Sequence, residues 1–367
     1  MTAPSTATSL PPCPFVAGPR IEDPRLFVGR KDELRFLRDR MTGPQPVSVN
    51  VTGERRIGKS SLLYHFYQTW TERVPDPSHY VVIFLSLQDA RCHQEKTFYR
   101  TVAKTLLQQP KIGKDPELAP RFQDGNLDRG QFSRAIRACH RKSLLPVLCL
   151  DEFEALLSRP REFDDGFYDG LRSLLDANAL MLIVASRESL MTLAQDHRLT
   201  SRFFNLGQTL TLERFRPEEV DDLVRLPAST VPGAPAALSL EEQQTAREWG
   251  DGHPFYLQLA ALHICEARQQ GKSLEWARKR YEQERRVRER PRPLNRALSW
   301  LLRAVRWLAW DLPRGLGSLG KRIGLTLDNL TSWFLGAVIL AMVILALVGI
   351  VPWQDLMTVV KSLVGAN

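Results

Sequence analysis

The chain has 367 residues, room for two domains of ordinary size, and its 43% hydrophobic and 25% charged composition excludes a wholly disordered or collagen-like protein. Five cysteines are too few for a disulfide framework at this length, and none sits at a CxxC spacing that would mark a metal site. The formal charge of +9 is concentrated: residues 1–266 carry 33 Lys+Arg against 34 Asp+Glu, residues 267–322 carry 16 against 5, and residues 323–367 carry 1 against 2, so the first two-thirds lack the basic excess of a nucleic-acid binder.

In chain order, residues 1–24 are rich in Pro, Ser and Thr without an apolar core. They read as a disordered segment and not as a signal peptide. Residues 47–52 alternate and are β-branched, the pattern of a strand. Directly after them comes Gly53-Glu54-Arg55-Arg56-Ile57-Gly58-Lys59-Ser60-Ser61, a GxxxxGK[ST] loop that opens a helix over about 60–72. The glycines let backbone N–H groups face a polyphosphate, and the helix amino terminus adds positive field. Lys59 is expected at the β/γ-phosphates of ATP and the Ser60 hydroxyl on Mg²⁺.

An apolar run at 81–87 and helical patterns at 94–108 and 129–142 follow, separated by a Pro/Gly-rich stretch (109–127) that reads as a mobile connection. Residues 144–150 form another apolar run, ending in Asp151-Glu152. On a strand neighbouring the loop, Asp151 would complete the Mg²⁺ shell and Glu152 would orient or deprotonate the attacking water. After a helix at 165–176, the run 179–185 ends in Ser186-Arg187. These are candidates to sense a γ-phosphate, although Arg187 could instead make a structural pair. Strand 208–212 closes a five-strand set alternating with helices. This predicts a parallel sheet covered on both faces, with the nucleotide at its carboxyl edge. The expected core is 25–214.

A helical lid is expected over 215–290. Ser239-Leu240-Glu241-Glu242 is a capping box, and Pro254 opens a helix with Phe255, Leu259, Leu262 and Cys265 on its apolar face. Residues 273–290 form a last, highly charged helix.

Four motifs together resemble the STAND class of P-loop ATPases, within the AAA+-like group and close to archaeal-type ATPases with a GxRRxGK[ST]SLL loop. They are Phe27-Val28-Gly29-Arg30 through Glu33-Leu34, similar to an FxGRxxEL motif; the P-loop; Asp151-Glu152; and Gly252-His253-Pro254, similar to the GxP motif of a helical lid. The resemblance covers about residues 25–290. It implies that Val28, Gly29 and Arg30 help hold the adenine, that Pro254 packs near base or phosphates, and that homo-oligomers form. Arg202 lies where AAA+ proteins often carry an arginine finger, and a solvated or structural arginine fits that position equally. No repeat array follows the lid.

The carboxyl end reads as a membrane anchor. Residues 291–328 are basic; within them Leu294, Ala297, Leu298, Leu301, Val305 and Leu308 recur at helical spacing with Arg296, Arg303 and Arg306 opposite, the pattern of a helix lying on anionic headgroups. Residues 329–353 carry no charge, are bracketed by Trp333 and Trp353, and are long enough for a ~30 Å hydrocarbon layer. A short tail, 354–367, ends the chain. The basic flank puts the amino-terminal domain on the cytoplasmic side of a single span. The sequence therefore predicts a membrane-anchored ATP-binding and ATP-hydrolysing switch with an unidentified protein trigger or effector. The alternatives are a membrane-tethered, nucleic-acid-linked AAA+ ATPase and a non-hydrolysing scaffold. The even charge balance of residues 1–266 disfavours nucleic acid as a partner.

Overall fold

The structure is a computed structural model and describes residues 13–289 apart from 124–126, 198, 206, 230 and 232. In chain order the elements are α1 (Lys31–Thr42), β1 (Val49–Gly53), α2 (Lys59–Arg73), β2 (Tyr80–Ser86), α3 (Glu95–Leu107), α4 (Pro110–Gly113), α5 (Ala119–Gln123), α6 (Arg129–Arg141), β3 (Leu145–Asp151), α7 (Glu154–Leu157), α8 (Asp165–Asp176), β4 (Met181–Ala185), α9 (Leu190–His197), β5 (Gln208–Leu212), α10 (Pro217–Val224), α11 (Leu240–Gly250), α12 (Pro254–Gln269) and α13 (Leu274–Glu289).

The five strands form one parallel sheet in the order β2-β3-β4-β1-β5. The strand carrying Asp151 is therefore not the neighbour of β1 that the sequence suggested: β4 is inserted between them, and its polar end stands between the P-loop and the acidic pair. Val147, Leu148, Cys149 and Leu150 are fully buried, as a continuous apolar run between two helical layers requires. One face of the sheet packs on α1 and α2 through Leu37, Met41, Leu62 and Phe66. The other packs on α3, α6 and α8 through Phe98, Phe132, Phe167 and Tyr168.

Two expectations about loops are corrected. Residues 110–123 hold two short helices, α4 and α5, whose Ile112, Leu118 and Phe122 are buried in the same core, so apolar anchoring overrides the Pro/Gly-rich composition. Residues 13–24, expected to be disordered, form an ordered strap. Phe15 is buried among lid side chains, and the strap's backbone N–H groups find side-chain acceptors on two different helices.

The helices α10–α13 make the lid, with their own apolar cluster. Ser239 and Glu242 form the expected capping box on α11. Helix α12 is buried on nearly all sides, beyond the single apolar face read from the sequence; Leu257, Leu259, Ala260 and Ala261 are all fully inaccessible. The close approach of α11 to α12 depends on Gly250, where an added Cβ would lie 2.7 Å from the Leu257 Cα.

No helix among the described residues is long and apolar enough to cross a membrane. The predicted amphipathic segment 291–328, the predicted span 329–353 and the tail 354–367 lie outside the described residues.

Candidate nucleotide-binding site

At the carboxyl edge of the sheet a cleft of about 340 Å³ lies between core and lid, within the size range of small-molecule sites. Of the residues singled out by sequence, Val28, Arg30, Arg55, Arg56, Ile57, Gly58, Lys59, Ser60, Ser61, Asp151, Glu152, Arg187 and Pro254 line it. Gly29, Gly53 and Glu54 do not. They act on the cleft through backbone geometry or through neighbours.

β1 ends in Gly53, whose φ of 140° and close approach to the Leu212 carbonyl (2.7 Å from an added Cβ) exclude a side chain. The chain then turns through Arg56 (φ 65°) and Gly58 (φ 102°) before α2 begins at Lys59. An added Cβ at Gly58 would meet nothing within 4 Å, so the space over the loop is open to an anion. The Lys59 Nζ donates to the carbonyls of Gly53 (2.7 Å) and Glu54 (2.8 Å). Burial pushes its pKa down, opposed by the charges of Glu154 and Asp151.

The Asp151 carboxylate, 5% exposed at the end of β3, accepts a hydrogen bond from the Glu152 N–H (3.0 Å), and Ser60 lines the same cleft. Burial raises its pKa, opposed by the neighbouring Ser60 hydroxyl. Glu152 has φ 59°, a left-handed backbone conformation uncommon for a residue with a side chain. Its carboxylate accepts from Gln88 Nε2 (2.7 Å) and Ser86 Oγ (3.4 Å), both at the end of β2. Burial raises its pKa, with Asp151 and Glu154 adding to the effect. Oxygen donors at Ser60 and Asp151 suit Mg²⁺, which is held by few protein ligands plus phosphates.

At the end of β4 the two candidate sensors part company. Ser186 is buried, and its hydroxyl lies within hydrogen-bond distance of both Asn50 Oδ1 (2.8 Å) and the Glu188 carbonyl (2.6 Å), its single proton serving one of them at a time, which fixes β4 against β1. Arg187 is half-exposed in the cleft and forms an ion pair with Glu154 at 2.9 Å.

Arg30 differs from its expected role. Its guanidinium is 3% exposed and is taken up by the protein: it donates to the carbonyls of Ile57 (3.1 Å) and Glu213 (2.7 Å), pairs with Glu33 (2.9 Å) and lies over the Phe215 ring. Its backbone N–H donates to the buried Glu219 of α10 (2.6 Å), and an added Cβ at Gly29 would strike the same carboxylate. The FxGR motif is thus stapled to the P-loop on one side and to the lid on the other. Arg202 lies apart from the cleft, its carbonyl accepting from the Arg172 side chain.

Sequence reading missed a whole wall of the cleft: Val16, Gly18, Pro19, Arg20 and Ile21 of the amino-terminal strap. The Val16 N–H donates to Gln258 Oε1 on α12 (2.9 Å), the Ile21 N–H donates to Ser61 Oγ on α2 (3.0 Å), and the Arg20 guanidinium stacks on Tyr64 (4.3 Å). A lone Phe15 in a polar, Pro-rich stretch was the available signal. Glu154, Gln88, Phe215 and Gln258 were also missed. Pro254 opens α12, and Phe255 lies under the Arg56 guanidinium (4.8 Å). His253, 4% exposed, approaches Glu54 of the P-loop at 4.0 Å.

Comparison with known proteins places this arrangement. A Walker-type ATPase of Pyrococcus abyssi is similar in fold, with 19% identity over 80% of this chain and 78% of that one and a TM-score of 0.50. The ORC2 protein of Aeropyrum pernix in its ADPNP-ADP complexes gives 15% identity over 73% and 69% of the two chains, with a TM-score of 0.48. No curated protein matches the chain. The family described as Novel STAND NTPase 1 matches residues 19–288, which include the second half of the strap, the P-loop, the acidic pair and nearly all of the lid. The chain is therefore a member of the Novel STAND NTPase 1 family of P-loop NTPases.

Proposed function

We propose that this protein binds and hydrolyses ATP as a switch at the cytoplasmic face of a membrane, with its carboxyl end as the anchor. One observation carries the catalytic half: Lys59, Ser60, Asp151 and Glu152 all line one cleft.

In this reading the backbone of residues 54–59 cradles the phosphates. Lys59 exchanges two carbonyl partners for phosphate oxygens, which are stronger, charged acceptors. Ser60 and Asp151 would hold Mg²⁺, which would supply positive charge to offset that of the phosphates. Glu152, oriented by Gln88 and Ser86, positions a water for attack on the γ-phosphorus and takes its proton; ADP and phosphate leave. A carboxylate whose pKa is raised is better matched to that proton transfer. Val28 and the strap enclose the base, while Pro254, Phe255 and Gln258 bring the lid onto the same ligand. Lid position then depends on the nucleotide, the domain-closure logic of P-loop switches. Assembly into homo-oligomers and an external trigger rest on the family resemblance, and the anchor rests on the uncharged, Trp-bracketed stretch 329–353.

The test is steady-state hydrolysis by the full chain in detergent, against Lys59→Ala and Glu152→Gln, over a range of protein concentrations. Turnover that rises faster than linearly with concentration and is lost in both variants supports the reading. ATP binding without turnover at any concentration would leave a scaffold. Flotation of the full chain with anionic vesicles, lost on removal of residues 329–367, tests the anchor.

A further inference from the structure

Three carboxylates occur within four residues at the end of β3, and hydrolysis as described uses only Asp151 and Glu152. The third, Glu154, lines the same cleft. One of its oxygens pairs with Arg187 at 2.9 Å. The other is buried and has no hydrogen-bond partner. A carboxylate oxygen left unsatisfied inside a polar cleft is costly and calls for a role. Its partner is the more exposed member of the pair, 52% against 20% for the two side chains. The strand order explains why the two meet: β4 lies between β1 and β3, so Arg187 emerges with the P-loop on one side and the β3 acids on the other.

We propose that Glu154 competes with the γ-phosphate for Arg187. It holds the guanidinium when the third phosphate is missing and releases it to ATP, so the pair sets how well the site tells ATP from ADP. This deepens the ATPase reading above and rests on it. Arg187 can make the exchange because a guanidinium offers five donors, and a terminal phosphate outbids one partly exposed carboxylate in charge and in acceptor oxygens. Glu154 is a positioning residue. It acts through Arg187, and the effect appears in nucleotide discrimination rather than in fold.

The experiment is calorimetric titration of the full chain with ADP and with a non-hydrolysable ATP analogue, for wild type, Glu154→Gln, Arg187→Ala and the double variant. Removing one negative charge from the cleft strengthens binding of both nucleotides, so the diagnostic is the ratio of the two affinities. In Glu154→Gln that ratio should shift toward the triphosphate by about three- to fivefold, the range of one partly exposed ion pair. In the Arg187→Ala background the same substitution should leave the ratio unchanged, because the competed group is gone. Glu154→Asp, which keeps the charge but shortens the reach, should move the ratio in the same direction by less, and it serves if the Gln variant does not fold. A ratio that stays at the wild-type value in a folded Glu154 variant, or a shift that persists undiminished without Arg187, overturns the proposal and leaves the ATPase reading standing. Wild-type protein that binds neither nucleotide overturns both.

Discussion

Arg30 offers the sharpest test of the architecture, because sequence and structure assign it different work. Resemblance points to a residue that holds the base, whereas the structure buries its guanidinium between the P-loop, the end of β5 and Glu33. Arg30→Met keeps the stem and removes the donors. Two carbonyls and the carboxylate of Glu33 then lose their partner, and the second Glu33 oxygen is already buried and unpaired. Breaking a buried pair from one side costs about 3–5 kcal/mol, and the retained stem packing argues for about 4. For a domain of this size that corresponds to a midpoint lowered by about 10 °C. The assay is thermal and urea unfolding followed by circular dichroism, with nucleotide affinity measured at low temperature where the variant is still folded. Affinity should fall less than about tenfold. A stability loss under about 1 kcal/mol together with lost binding would refute the staple and restore Arg30 to the ligand.

Asp151→Asn should raise the unfolding midpoint near pH 7 while abolishing hydrolysis. The carboxyl group's folded pKa is raised by burial, so the fold loses stability as pH climbs past the unfolded value of about 3.9, and Asn removes that loss; an unchanged midpoint would count against it. His65 gives the opposite limb. Stacked on Phe27 at 4.0 Å and accepting from Arg73, its ring is held neutral, its pKa pushed down to about 4 by burial and then by Arg73. The unfolded chain takes up this proton first, so stability should fall as pH drops from about 6.5 toward 4. His65→Phe should flatten that part of the curve, and superimposable wild-type and variant curves would contradict the assignment. Gly250→Ala forces a methyl to within 2.7 Å of the Leu257 backbone and should destabilise the lid by about 2 kcal/mol in urea titration, whereas a neutral result would mean that α11 and α12 can part.

The strands and most helices were legible because their signals are local. The apolar runs ending in Asp151 and Ser186 and the helical periods between them reappear within two residues of the expected limits. Strand order was not legible, since nothing within Met181–Ala185 says which neighbours it will pair with. The cleft's loop and acids could be read because phosphate chemistry demands those residue types in that order. Its other contributors obey tertiary logic. Ile112 and Phe122 are anchors inside a stretch whose composition argues for a loop. Glu154 follows a pair of acids, and nothing in the local sequence marks it for a separate role. The buried guanidinium of Arg30 shows that a charge beside a P-loop can serve the backbone as well as a ligand.

The strap has a mechanical meaning. It is hooked to α12 at Val16 and to α2 at Ile21. Five residues of extended chain reach at most about 17 Å. In the proposed switch the strap would act as a leash: a lid opening wider than that length would first have to unhook one of the two hydrogen bonds. Range of motion is thereby written into chain length, and lengthening the segment around Gly18-Pro19 would change how far the lid travels without touching a residue of the phosphate loop.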